Sequence, residues 1–521
     1  MNILTLHIGH NASALLLKDG QIAGAAGQER FDNIKNSGHF PDEAMSWLLK
    51  QAGLSYDELD RIALCSATTP QEHISKLISM GIAQDKIKCI DHHTCHAYTP
   101  IAFFPRVSSP WLIFTADGES DGLSSTVSIW DGKELKRIAQ SPPESSLGYM
   151  YGLTTAFLGM RMFEHEYKVM GLAAYAKPSA FAETYENIFK DIVGFDKKNP
   201  LIFKSRFTMT KLTEYLKEKA NGGIRFDNIA GALQHCLEEL ILQWIRNAIN
   251  QTGISRIMTG GGVFMNVKLN KLIREMPAVE ETRFMPSCGD ETSIFGAAYL
   301  QQPHMSPIQT LYLGQSYTND EIEEFLKSHS ARDKFTFTHK PNIATTIADL
   351  LSNHKAVARF SGRSEFGARS LGNRAILAHP SDMRSFFTVN DQIKARDFWM
   401  PFAPTILDTD APRYLINPRN VEAPYMIDAF DTTPEGQTAL CAAMHQGDKT
   451  VRPQILTRKA NPDYYSLIET FKSKTGVGAV LNTSLNLHGN PLASTPEQAL
   501  STMLNSSLQY LALESWLVTK N

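Results

Sequence analysis

One pattern is repeated in this chain and constrains its fold more than any other feature. An apolar run from Ile3 to Ile8 leads through the polar turn Gly9-His10-Asn11 into Ala12 to Leu17, and Asp19-Gly20 then joins that run to Gln21 to Ala26. Later, Trp111 to Ala116 leads through Asp117-Gly118-Glu119-Ser120 into Ser124 to Trp130, closed by Asp131-Gly132. Apolar runs separated by such turns read as strands, and Asp-Gly is a strong hairpin signal. The repetition favours two sheet-bearing halves built on one plan over a chance recurrence of the pattern. At 521 residues the chain exceeds what one core supports, since single cores stop growing at roughly 250 to 300 residues.

Duplicated hairpin-led units are the plan of the actin-like, sugar-kinase-like ATPase fold, in which two ribonuclease-H-like halves face a nucleotide cleft. The expected class is therefore α/β, with halves at 1–110 and 111–335 and a further domain at 340–521. A weak seam is expected at 302–310, which holds two prolines. The spacing of Ile229, Leu233, Cys236, Leu237, Leu240, Ile241, Trp244 and Ile245 predicts a helix over 228–251. Ile254 to Met258, Gly260-Gly261-Gly262 and 263–275 read as strand, turn and helix; Asp290 stands where it can cap a helix over 291–301.

A net charge of −3 gives no general attraction to nucleic acid. The six cysteines are scattered without a C-x-x-C pair, which speaks against a disulfide framework and fits a reducing cytoplasm. No run of 18 apolar residues and no export signal is present, so no membrane segment is expected.

Several side chains are chemically suggestive. On a helix, His92 and His96 share one face, and two imidazoles one turn apart can hold a transition metal with a carboxylate such as Asp117 or Asp290 completing the set. The alternative is a capped helix start with two incidental histidines. His10 can be a general base or a turn histidine bonded to backbone. Asp117-Gly118 can hold a metal or a ribose hydroxyl. Gly260, Gly261 and Gly262 can offer amides to a nucleotide or form a tight turn. No P-loop motif occurs. From Arg359 to Arg396, seven basic residues stand against three acidic ones; such a segment is commonly a solvated face, but interleaving of its arginines with Gly, Phe and Leu favours a lined pocket for phosphate or carboxylate. The polar run Leu481 to Asn486 reads as a strand-end site or as turn formers.

Together, His10 to Ala14, Glu29-Arg30-Phe31 with Lys35, His92 to Ala97, Asp117-Gly118, Ser146 to Gly148 and Glu166 to Ala173 resemble the O-carbamoyltransferases of nodulation and antibiotic tailoring. Gly260 to Gly262 with Asn266, Gly289-Asp290, Phe366 to Leu377, Ile393-Lys394, Pro401 to Pro404 and Leu481 to Asn486 extend the resemblance over the chain. It implies an N-terminal domain like the tRNA threonylcarbamoyl transferase and a C-terminal YrdC-like domain. It implies that carbamoyl phosphate and ATP give carbamoyl adenylate, whose carbamoyl group passes to a hydroxyl of a small-molecule or sugar acceptor.

By the same resemblance His92, His96, Asp117 and Asp290 are metal ligands, for iron(II) or another divalent transition metal, with Mg2+ accompanying ATP. His10 is the base and Lys35 a charge partner. Gly118, Glu166, Gly260, Gly261, Gly262 and Asn266 bind nucleotide, while Arg369, Arg374, Lys394, Arg452, Asn482 and Ser484 hold carbamoyl phosphate. A cytoplasmic monomer or homodimer is expected. One departure bears on the donor: Met400 stands where the family pattern has an arginine before Pro-Phe-Ala-Pro. The rival readings are a threonylcarbamoyl- or hydrogenase-maturation-type enzyme and an actin-like sugar kinase or ATPase.

Overall fold

The computed structural model describes residues 1–104, 110–220 and 223–521. It divides into two compact units, Met1–Gln28 with Asn36–Gln309, and Glu29–Lys35 with Thr310–Asn521. The division falls at the end of the proline-bearing seam, not between 335 and 340. Residues 310–335 accordingly belong to the second unit, with the helix Asn319–Ser328 packing Ile322 and Leu326 into its core. Lys35, expected with the transfer domain, also belongs there.

The first unit holds two five-stranded sheets. In the first, β1 (Asn2–His7), β2 (Ser13–Lys18) and β3 (Gln21–Gly27) form an antiparallel meander, and β4 (Arg61–Leu64) and β5 (Ile87–Cys89) add in parallel on the far side of β1. In the second, β6 (Trp111–Ser120), β7 (Leu123–Trp130) and β8 (Leu135–Ser141) form the meander. After the small hairpin β9 (Val193–Phe195) and β10 (Phe203–Ser205), β11 (Arg256–Gly260) adds in parallel to β6 and β12 (Glu281–Phe284) in parallel to β11. The orders β3-β2-β1-β4-β5 and β8-β7-β6-β11-β12 are the same plan twice, so the repeat in the sequence is a repeat in the structure.

Local chemistry explains most elements and corrects two expectations. Asp19 and Gly20 both have positive φ, as a tight hairpin turn requires. The second polar stretch is not itself the turn: β6 runs on through Asp117 to Ser120 across an irregularity in pairing, and the chain reverses at Asp121-Gly122, both left-handed. The long helix Phe226–Thr252 buries the predicted stripe and ends at left-handed Gly253. Asp290 does not cap the following helix; it begins a short 3₁₀ turn before Ser293–Gln301 and turns its carboxylate toward histidines.

The second unit is built on an eight-stranded mixed sheet. Its centre runs Trp516–Lys520, Tyr510–Leu513, Val357–Phe360, Arg374–Ala378, Ala479–Ser484, Ala403–Leu407 in spatial order, with Phe335–His339 and Gln454–Leu456 at the edges. One face packs Phe360, Ile376 and Leu481 with the helix Pro496–Leu504, the other packs Leu377 and Val480 with Pro462–Thr475. The molecule is mixed α/β throughout. No helix among the described residues is long and apolar enough to cross a membrane.

Candidate functional site

The helix His92–Phe103 begins at Asp91, whose carboxylate accepts the Thr94 amide at 2.7 Å. Ala97 and Ile101 pack against Trp111, Ile113, Trp130 and Met258 of the second sheet, so the opposite side of its first turns carries His92 and His96. Pro100 lacks the N–H that would bond the His96 carbonyl, and Gly260 fits against that oxygen: a Cβ there would lie 2.7 Å from it.

This brings one nitrogen each from His92 and His96 and one oxygen each from Asp117 and Asp290 within 4.8 Å of one another. His96 Nε2 lies 3.2 Å from Asp117 and 3.4 Å from Asp290; His92 Nε2 lies 3.5 Å from Asp290. His92 Nδ1 is 3.2 Å from the Cys65 carbonyl, which fixes the ring with Nε2 facing the carboxylates. Neither ring nitrogen of fully buried His96 makes a hydrogen bond. An orphaned imidazole between two carboxylates fits a divalent transition metal in donor type and number. Burial opposes protonation of His92, but Asp290 and Asp117 outweigh it and raise its pKa; burial likewise opposes ionisation of Asp290, which His92 and His96 hold well below the carboxylate range.

Neighbours complete the setting. His93 points away and bonds Thr115 Oγ1 and the Leu123 carbonyl, a structural histidine. His7, which the sequence did not single out, is buried with Nε2 3.8 Å from Asp290 and 3.0 Å from the His10 carbonyl, and burial pushes its pKa down to about 4. His10 is exposed, with its ring 5.6 Å from Phe163. Phe163 was also missed: its backbone is left-handed at φ 65°, its ring is half exposed, and its amide is held by Glu166 at 2.7 Å.

The expected nucleotide residues have other commitments. Gly262 donates its amide to Asp117 at 3.1 Å, and a Cβ at Gly261 would meet the Ala116 carbonyl at 2.4 Å. The glycine turn is thus what lets β11 pass close against the His96 carbonyl, Ala116 and Asp117. Asn266 caps the helix Val267–Glu275 and pairs with Gln234. Gly118 lies under Tyr149 and Phe163.

In the second unit the donor-binding candidates converge unequally. Lys394 is buried and donates to the Ser484 and Asn486 carbonyls at 2.5 and 2.8 Å. Burial, then Arg396 and Lys35, hold it well below the usual lysine range; burial, then Arg369 and Arg396, do the same for Arg452. Lys35, Arg369, Lys394, Arg396 and Arg452 are thus linked by electrostatic influence, with Lys394 at the end of the strand that carries Ser484. Arg374 does not join them: its guanidinium bonds the carbonyls of Ser361, Gly362, Gln315 and Asn373 and lies 3.5 Å from the Phe360 ring centre, so it is a strut. Asn482 is likewise spent, bonding Ser370 and Thr405 from a buried position. Glu365, also missed, accepts the amides of Leu371, Asn373 and Arg374 and so shapes the loop bearing Arg369.

Comparison with known proteins decides the family. A family model described as Carbamoyltransferase N-terminus matches residues 73–299, and Carbamoyltransferase C-terminus matches 348–520. The chain belongs to the carbamoyltransferase family. Relatives of this carbamoyltransferase include the uncharacterized protein MJ1051 of Methanocaldococcus jannaschii, 32% identical over 99% of each chain. Nodulation protein NolNO of Sinorhizobium fredii is 29% identical, covering 98% of this chain and 79% of its own. Nodulation protein U of the same species is 27% identical over half of this chain and 46% of its own. Among solved structures, full-length HypF in a phosphate- and nucleotide-bound form aligns over 57% of this chain and 55% of its own, with 13% identity and a TM-score of 0.37.

Proposed function

We propose that this carbamoyltransferase is an ATP-dependent O-carbamoyltransferase that activates carbamoyl phosphate and passes the carbamoyl group to a hydroxyl of a small-molecule or sugar acceptor. The observation that carries the donor assignment is the gathering of Lys35, Arg369, Lys394, Arg396 and Arg452, which suits a phosphorylated donor and a triphosphate. In this reading the second unit is the YrdC-like activation domain and the first is the actin-like transfer domain, the latter supported by its twice-used sheet order.

Water cleaves carbamoyl phosphate to carbamate and phosphate; a carbamate oxygen attacks the α-phosphorus of ATP and expels pyrophosphate. The acceptor hydroxyl then attacks the carbamoyl carbon of the adenylate, AMP leaves, and the hydroxyl proton goes to His10. His92, His96, Asp117 and Asp290 would hold a divalent transition ion, which supplies Lewis-acid stabilisation of developing negative charge. Glu166, whose pKa burial raises, lies within electrostatic reach of His10 and would orient it. Lys35 is assigned to donor binding, in keeping with its place in the second unit.

The test is to incubate the protein with carbamoyl phosphate, ATP and Mg2+ and to resolve the nucleotide products. Carbamoyl phosphate-dependent pyrophosphate release is expected. Release of ADP instead would favour the sugar-kinase reading.

A further inference from the structure

Phe163 is an apolar ring that the fold delivers to the surface under strain. Its backbone is left-handed at φ 65°, an outlier for a bulky side chain, yet the ring is half exposed, so burial in a core does not offset that strain. The turn that carries it is closed by its own bonds. The Glu164 and His165 amides both bond the Arg161 carbonyl, at 3.4 and 2.9 Å, and the Arg161 amide donates to His165 Nδ1 at 3.1 Å. Glu166 accepts the Phe163 amide at 2.7 Å, and Asn36 Nδ2 donates to the Phe163 carbonyl at 3.2 Å. Strained backbone held from several sides around one exposed side chain points to a functional position.

The ring stands beside the proposed base. His10 and Phe163 have ring centres 5.6 Å apart; Tyr149 and Phe163 meet edge to face at 6.2 Å. Both aromatic rings close over Gly118, where a Cβ would lie 3.3 Å from Tyr149 and 3.6 Å from Phe163. Tyr149 is placed by the start of its helix, Leu147–Phe157: Ser146 Oγ donates to the Gly118 carbonyl at 2.6 Å, and a Cβ at Gly148 would meet the Asp117 carbonyl at 2.5 Å. Tyr149 Oη in turn donates to Glu119 at 3.4 Å, and Glu119 is exposed. An open aromatic face flanked by an imidazole, a phenol hydroxyl and a carboxylate suits one class of hydroxyl-bearing molecule. The axial C–H groups of a pyranose with equatorial hydroxyls form an apolar face that lies flat on such a ring, while its hydroxyl rim donates to carboxylate and imidazole acceptors.

We propose that Phe163 is the platform of the acceptor subsite, taking the C–H face of a pyranoside with equatorial hydroxyls while Tyr149 and Glu119 engage its rim, and so selecting a saccharide among hydroxyl acceptors. The inference rests on the proposed carbamoyl transfer to a hydroxyl with His10 as base.

The test uses the full chain with methyl β-D-glucopyranoside as probe and no donor, read by saturation-transfer NMR and calorimetric titration. The wild type should bind it, with the axial ring protons receiving the strongest transfer. Phe163→Asn removes the ring and suits the left-handed backbone. Its melting temperature should hold or rise while the dissociation constant rises about tenfold, the worth of one aromatic contact and the apolar area it covers. Phe163→Tyr keeps the face and should bind as the wild type does. A merely structural ring would give the opposite pattern, a lower melting temperature in Phe163→Asn with unchanged glucoside binding, and that result overturns the inference. So does a wild type that fails to bind the glucoside, or that binds only benzyl alcohol, a flat aromatic alcohol. Should the Asn variant not fold, Phe163→Leu decides: it keeps the bulk but not the flat face, so binding should weaken at least threefold, by about 0.6 kcal/mol, and wild-type binding would refute the platform. Should the wild type bind the glucoside through Phe163 but release no pyrophosphate from carbamoyl phosphate and ATP, the carbamoyl reading falls and the saccharide platform stands.

Discussion

Asp121 holds the start of the helix His92–Phe103 through its carboxylate. It accepts the His92 amide at 2.8 Å and the Ala67 amide at 2.9 Å, with Ser66 Oγ and Thr68 Oγ1 closing around it. Burial opposes its ionisation, yet Thr68, the Ala67 amide and Ser66 outweigh that and lower its pKa to about 2. A carboxylate depressed in the folded state stabilises it fully above the unfolded value of about 4 and loses that contribution as pH falls through the folded value. Asp121 is left-handed at φ 52°, which asparagine tolerates, so Asp121→Asn isolates the charge. The variant should be about 1 kcal/mol less stable at neutral pH, a figure kept low because the group is partly exposed. The gap between the two proteins should close between about pH 4 and pH 2. Urea unfolding across that range checks it, and a gap independent of pH would count against the assignment.

At the scale of elements, the candidate metal site depends on how closely the helices His92–Phe103 and Ser293–Gln301 approach. A Cβ on Gly296 would lie 1.9 Å from the Cys95 carbonyl and 2.9 Å from the Thr99 amide, both backbone atoms that cannot swing away. Gly296→Ala must push the helices apart, and Asp290, just before the second, would move relative to His92 and His96 on the first. A loss of about 1–3 kcal/mol is expected, with metal content falling alongside it; full metal occupancy in a folded variant would show that the contact does not set the site. Such contacts explain what the sequence left unread. Alternation and Asp-Gly turns revealed the meanders, and i,i+4 spacing revealed the His pair, because these signals are local. That Gly262 spends its amide on Asp117, that Arg374 is a strut and that Lys35 belongs with the second unit depend on contacts between distant segments. The misplaced turn at Asp117 has a local cause: polar strand residues facing a site look like turn formers.

At the scale of the whole molecule, the two units carry different chemistry, with imidazoles and carboxylates in one and a cation cluster in the other. If the proposed activity is right, the partial reactions should be genetically separable. His96→Ala removes a nitrogen that makes no hydrogen bond, so it should lower metal content and acceptor carbamoylation by about a hundredfold or more while carbamoyl phosphate-dependent pyrophosphate release continues. Arg369→Ala should do the reverse, retaining metal and slowing pyrophosphate release through a raised KM for carbamoyl phosphate. Supplying preformed carbamoyl adenylate sharpens the contrast: it should restore transfer in Arg369→Ala and leave His96→Ala inactive. Equal loss of both partial reactions in His96→Ala, with the second unit still binding phosphate, would refute the division of labour, because a defect confined to the metal site has no direct means of stopping activation.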